Sequence, residues 1–207
     1  MTTITISRGS YSMGRAVAEG VAARLGYECL SRDVLLEASE HFNIPEIKLE
    51  DAFKNAPSIL DRITEGKKRY IAYIQSALAS HARADKIVYH GLAGHILLRN
   101  ISHVLRVRIN ADLDLRISVL MERDKCSEAA ARKQVARLDR ERWKWTKSLY
   151  NLDPADPSLY DLILNISRFG VKDAVGLICR AAKLSRFASI ALPCRYLFKS
   201  SKSTATD

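Results

Sequence analysis

The chain opens with a short β-branched run, a turn bracketed by glycines and an amphipathic helix. Thr3 to Ser7 alternates Thr and Ile and predicts a buried strand. Ala16 to Leu25 predicts a helix, because Val17, Val21 and Leu25 recur every four residues on one stripe and Gly26 stops it. Further strands are predicted at Glu28–Leu30, Lys86–His90, Val104–Ile109 and Tyr160–Ile166. Helical patterns run from about Leu113 to Tyr150, with a break near Asp124–Ser127, and from Val171 to Lys183. Strands alternating with helices imply an α/β fold with a mostly parallel sheet. Asp33 to Ala84 lacks strong strand signals and reads as a mostly helical insert, with breaks around Asn43–Glu46 and at Pro57. The 207 residues suit one domain over 1–183, with a helical insert at about 37–84, followed by a flexible basic tail over 184–207.

Charge narrows the ligand class. The formal net charge is +10, which suits anionic partners such as nucleotides or nucleic acid without choosing between them. Arg123 to Ser148 holds nine Lys/Arg against four Asp/Glu, half of that excess. Cys29, Cys126, Cys179 and Cys194 form no CxxC pair, so a local zinc knuckle is not expected. Met1–Ser7 lacks the charge and length of a secretory leader, and no apolar run approaches a membrane span. Reduced thiols and a cytoplasmic location are the corresponding expectation.

The turn Gly9-Ser10-Tyr11-Ser12-Met13-Gly14-Arg15-Ala16 has the frame of a Walker A phosphate loop, G-x-x-x-x-G-K-[ST]. Glycines let backbone N–H groups wrap a phosphate, and the helix that follows adds its positive end. Gly9, Ser10, Ser12, Gly14 and Arg15 are therefore the candidate phosphate-binding residues. Arg15 stands where the loop usually has Lys, and keeps the charge on a broader group. Ala16 stands where a hydroxyl would reach Mg²⁺. On spacing alone an ordinary strand–helix turn competes equally.

The wider sequence resembles the cytidylate kinase-like family. Ile4-Thr5-Ile6-Ser7-Arg8, Gly14-Arg15 and Ala22-Ala23-Arg24-Leu25-Gly26-Tyr27 are similar to its opening, where Gly-Arg is common. Val88 to Leu97 is similar to its G-R-G-A-x-x-I-L segment, and Leu105 to Ile109 with Arg116-Ile117 to the strand and helix after it. Asp139-Arg140-Glu141-Arg142 followed by Asp156-Pro157-Ser158-Leu159-Tyr160-Asp161-Leu162-Ile163-Leu164-Asn165 resembles its D-x-x-R … D-P-x-x-Y-D-L-x-L-N signature. The resemblance covers about residues 3–183.

It implies a three-layer P-loop kinase fold with a parallel sheet of about five strands, a helical arm for a nucleoside monophosphate and a lid at about 123–150. It also implies transfer of the ATP γ-phosphate to CMP or dCMP with Mg²⁺, whose protein ligands the sequence does not identify. Arg15, Arg140 and Arg142 are the implied catalytic cations; Arg32, Asp33, Asp139 and Arg142 would face the acceptor nucleotide. Leu92 replaces the family's G-R-G arginine, and Tyr11 and Met13 replace its small loop residues. Ala16 and Leu92 motivate an alternative, a non-catalytic nucleotide-binding regulator on the same fold. A second alternative is nucleic-acid binding through the basic arm and tail. His90 and His95 are too few for a metal site. Trp143 and Trp145 would either stack bases or pack the lid.

Overall fold

The structure is a computed structural model that describes residues 2–31, 34 and 64–188. Most of the insert, with its expected breaks and with Arg32 and Asp33, lies outside these residues, as does the tail beyond 188. The elements are β1 (Thr3–Arg8), α1 (Gly14–Leu25), β2 (Glu28–Leu30), α2 (Thr64–Ala84), β3 (Ile87–Tyr89) and α3 (Gly94–Leu97). They continue with β4 (Val104–Asn110), α4 (Leu113–Asp124), α5 (Glu128–Tyr150), β5 (Leu162–Asn165) and α6 (Ile166–Ala181).

The five strands form one sheet in the order β2-β3-β1-β4-β5, with every pairing parallel. Strand β1 lies at its centre, pairing with β3 on one side and β4 on the other. The chain fills one half of the sheet through β3 and the other from β4 onward. Connections therefore diverge at the C-terminal end of β1, the crevice where open α/β sheets take ligands.

Strand alternation assigns the two faces. Ile4, Ile6, Val107 and Ile109 pack with Val17 and Val21 of α1 and Ala174 and Ile178 of α6. Tyr89 and Val104 belong to a second core with Ile74 and Leu78 of α2, Ile96 and Leu97 of α3, and Trp145 of α5. Ile117, Leu120, Ala131 and Val135 make a smaller core between α4 and α5, and Tyr11 of the glycine turn packs against it.

Element ends follow local chemistry. Helix α4 stops at Lys125, whose φ of 51° is left-handed. Helix α5 starts behind Ser127, whose hydroxyl accepts from the Ala130 N–H. The last helix begins at Ile166 rather than at Val171, because the Asn165 side chain caps the Ser167 N–H at 3.0 Å. Gly170, at φ 70°, then kinks that helix.

The expected start of the flexible tail at 184 also needs adjustment. Residues 185–187 form a short turn, and Phe187 is buried. The Thr2 hydroxyl lies 2.8 Å from the Ala182 carbonyl and 2.7 Å from that of Phe187. Phe187→Ala should lower the unfolding free energy by about 3–5 kcal/mol, whereas Leu184→Ala, at a position 58% exposed, should change it by less than about 0.5 kcal/mol. Urea titration of both variants checks this, and equal small losses would restore a domain end at 183.

Candidate functional site

Two side chains lock the glycine turn to the helices behind it, and a third braces the turn internally. Arg116 of α4 donates Nε–H to the Ser10 carbonyl at 2.7 Å and Nη2–H to Asp139 Oδ2 at 2.5 Å. Asp139 of α5 accepts the Ser10 backbone N–H at 3.3 Å on its other oxygen. The Ser12 hydroxyl donates to the Gly9 carbonyl at 3.0 Å. Tyr11 and Met13 sit at φ 58° and 51°, a left-handed conformation that costs an L-residue about 1–2 kcal/mol. Tyr11 recovers part of that cost outside the turn. Its hydroxyl is held by Gln134 at 3.0 Å and Arg123 at 3.3 Å, and the Arg123 guanidinium stacks 4.8 Å from its ring centroid.

Of the turn's two glycines, Gly14 makes room for an arginine and Gly9 stands at ordinary contact distance from another. A Cβ on Gly14 would fall 2.7 Å from both Cβ and Cδ of Arg8, and one on Gly9 would meet the Arg116 guanidinium at 3.7 Å. In the 90–95 segment, Gly91 and Gly94 lie against the buried Tyr89 ring; a Cβ on either would fall within 2.4 Å of it. The glycines of that segment therefore admit an aromatic core residue.

A cavity of about 830 Å³ opens beside the turn, at the C-terminal ends of β1, β3 and β4. Arg8, Arg108, Arg116, Arg140 and Arg142 line it, with Asp112 and Asp139 as its carboxylates. Asp139 is engaged by Arg116, and Asp112 accepts from the Asn165 amide at 2.7 Å. Trp143 and Leu92 reach the cavity as exposed apolar groups, while Trp145 is buried and meets the Tyr150 ring edge-on. Of the two tryptophans, one packs and one faces the cavity.

The two histidines of the cavity are neutral. Arg8 donates to His90 Nδ1 at 2.7 Å and to the His90 carbonyl at 3.1 Å. A guanidinium only donates, so Nδ1 accepts and the proton of the neutral ring sits on Nε2. Burial, and then the Arg8 charge, push the His90 pKa down to about 4. Burial, reinforced by Arg108 and Arg106, pushes His95 down to about 3. His95 stacks on Tyr160, whose hydroxyl donates to the Pro154 carbonyl at 2.8 Å and receives Arg108 at 3.1 Å. Arg108 also donates to the Pro154 carbonyl.

The sequence-derived residues divide. Gly9, Asp139, Arg140 and Arg142 meet at the cavity. Ser10, Ser12 and Gly14 belong to the turn and are buried. Arg15 does not join them: it is exposed and paired with Glu19 at 2.7 Å, one helical turn away. Arg8, Arg108 and Arg116 went unrecognised, because arginines alternating in strands or near a helix start carry no motif. The alternation Arg106-Val107-Arg108 did hold a signal, since the two arginines share a strand face opposite the core. Among the described residues no group of three or more His, Cys, Asp or Glu could hold a metal. No described helix is long and apolar enough to cross a membrane.

Residues 3–168 match the cytidylate kinase-like family. The chain belongs to that family. A cytidylate kinase of Natronomonas pharaonis is 29% identical over 181 residues, covering 86% of this chain and 88% of its own length. One of Methanopyrus kandleri is 27% identical over 101 residues, 45% of this chain and 52% of its own. Among solved structures, an uncharacterized protein of Eubacterium ventriosum aligns at a TM-score of 0.67 and 18% identity, over 87% of this chain and 97% of its own. Shikimate kinase of Bacteroides thetaiotaomicron aligns at 0.53 and 10% identity, over 88% and 99%. These likenesses show the P-loop kinase fold that the sequence implied.

Two measurements test this family member's site. Gly14→Ala should destabilise the protein by about 1–3 kcal/mol through overpacking against Arg8, and Gly9→Ala, with ordinary contact distances, by clearly less. Matching losses in urea titrations of the two would reject the close packing. The second concerns pH. Above about pH 6.5 both folded and unfolded histidines are neutral, so neither His90 nor His95 contributes a pH dependence. Below it the unfolded chain binds protons that the folded sites refuse until pH falls to about 4 for His90. Stability should therefore fall as pH drops from about 6.5 to about 4, and less steeply in His95→Gln; identical slopes would contradict a neutral, buried His95.

Proposed function

We propose that this protein is a nucleoside monophosphate kinase that transfers the γ-phosphoryl group of ATP to CMP or dCMP with Mg²⁺. The observation that carries the reading is a cavity with five arginines opening beside the glycine turn, in a chain of the cytidylate kinase-like family. An oxygen of the acceptor phosphate attacks the γ-phosphorus, the bond from that phosphorus to the β–γ bridging oxygen breaks, and ADP leaves. Such a transfer requires positioning and charge neutralisation more than covalent help from the protein.

In this reading the backbone N–H groups of Ser12 and Gly14 receive the donor phosphates, and those of Gly9 and Ser10 join them by leaving the Ile109 carbonyl and the Asp139 carboxylate. Arg15 joins them by leaving Glu19, since an exposed ion pair is weak. Arg140 and Arg142 neutralise the transferring group, and Asp139 and Arg142 face the acceptor, with Arg32 and Asp33 as further acceptor contacts. Ala16 lacks a hydroxyl, and that of Ser12 is committed to Gly9. The residues present therefore fit a Mg²⁺ held by the nucleotide phosphates and water, the arrangement Mg²⁺ commonly keeps.

A second reading, a nucleotide-binding regulator without turnover, is favoured by Ala16 and by the Asp139 carboxylate already seated on the Ser10 N–H. ATP consumption with CMP, dCMP, UMP, AMP and GMP separates the two. The kinase reading expects turnover with a cytidine nucleotide, falling about 100-fold or more in Arg142→Ala with the far-ultraviolet spectrum unchanged. ATP binding without turnover on any acceptor would install the regulator instead.

A further inference from the structure

Two guanidinium groups lie near each other at the end of β1, and neither has an ion-pair partner among the described residues. Arg142 donates Nη1–H to the Arg8 carbonyl at 3.0 Å, and among the described residues Arg8 donates to His90 alone. Both side chains line the cavity and are half-buried. Asp139, the nearby carboxylate, is committed to Arg116 and to the Ser10 N–H. Paired positive charge away from water is costly unless an anion completes it.

The surroundings hold the arrangement in place. The Arg8 stem lies against Gly14, where a larger residue would displace it. His90, neutral and accepting on Nδ1, occupies one Nη of Arg8 and leaves the rest of its fork unsatisfied among the described residues. Burial and the facing Arg142 charge lower the Arg8 pKa to about 10, and burial lowers that of Arg142. Leu92, two residues beyond His90 at the cavity, adds no charge of its own. A guanidinium fork with free donors beside a second guanidinium matches a tetrahedral phosphate oxyanion.

We propose that Arg8, together with Arg142, forms the subsite for the acceptor's phosphate group and makes the cavity select a phosphomonoester over its parent nucleoside. Arg8 supplies this charge from β1, the strand next to β3, whose end leads into the segment that carries Leu92. The assignment of that phosphate to an acceptor rests on the kinase reading; the existence of the subsite does not.

The test uses the full chain and needs no turnover. Arg8→Gln keeps most of the stem against Gly14 and removes the charge, and Arg83→Ala, on the exposed end of α2, is the control. Calorimetric titration compares CMP with cytidine, or whichever monophosphate and nucleoside pair the wild type binds. Arg8→Gln should weaken the monophosphate about 10- to 100-fold and leave the nucleoside unchanged, a split that loss of packing would not produce. Equal weakening of both, or none, overturns the proposal. If Arg8→Gln fails to fold, or no nucleotide binds, phenylglyoxal labelling of wild type decides. Inorganic phosphate should protect Arg8 and Arg142 and leave Arg83 reactive; labelling of Arg8 unaffected by phosphate overturns the subsite. Protection in a protein that turns over no acceptor would keep the subsite and discard the kinase reading.

Discussion

The contact on which the site depends is the three-way junction of Arg116, Asp139 and the backbone of Ser10. One guanidinium spans the Ser10 carbonyl and a carboxylate, and that carboxylate returns to the Ser10 N–H. Through it the turn after β1, helix α4 and helix α5 share one position. The small core of Ile117, Leu120, Ala131 and Val135 keeps α4 and α5 together behind the junction. Without that packing, Arg116 and Asp139 would be two isolated surface charges, and pairs of that kind contribute little. With it, they set where the mouth of the cavity lies.

The junction also accounts for an unusual turn. Two large residues of the turn, Tyr11 and Met13, hold left-handed conformations here. Tyr11 tolerates its own because its ring and hydroxyl are gripped by Arg123 and Gln134 from the same two helices. The loop is thus shaped less by its own flexibility than by what packs against it. Gly14 admits the Arg8 side chain, where a Cβ would collide with it. Positive charge consequently reaches the cavity from strands and from α4 and α5, while Arg15, next to the loop in sequence, turns outward to Glu19.

Much of the architecture was legible from local pattern. The alternation in Thr3–Ser7, the four-residue spacing of Val17, Val21 and Leu25, and the Gly26 stop each report a repeat that a strand or helix must have. Boundaries were less legible. Asn165 reads as a strand residue until its side chain caps the next helix, and Phe187 reads as part of a polar tail until it is buried. In both cases a partner a few residues ahead, or at the far N-terminus, decides the outcome. The D-x-x-R pair was legible as a motif, but its division of labour was not: Asp139 turns to Arg116 and Ser10, and Arg142 to the Arg8 carbonyl.

The order of strands and helices and the position of a glycine turn between β1 and α1 are written in neighbouring residues, and the family in short ordered motifs. Which arginines reach the cavity depends on how the strands and helices pack. Arg8, the nearby Arg108 and Arg116, and Arg142 come from three separate stretches of the chain and converge because β1 and β4 are parallel neighbours and because α4 and α5 pack back over their C-terminal ends. Arg15 is the nearest cation to the loop in sequence, yet its place in the first turn of α1 directs it along the helix to Glu19. Side-chain direction is set by backbone geometry and by what packs around it, and neither quantity is carried by one residue and its neighbours.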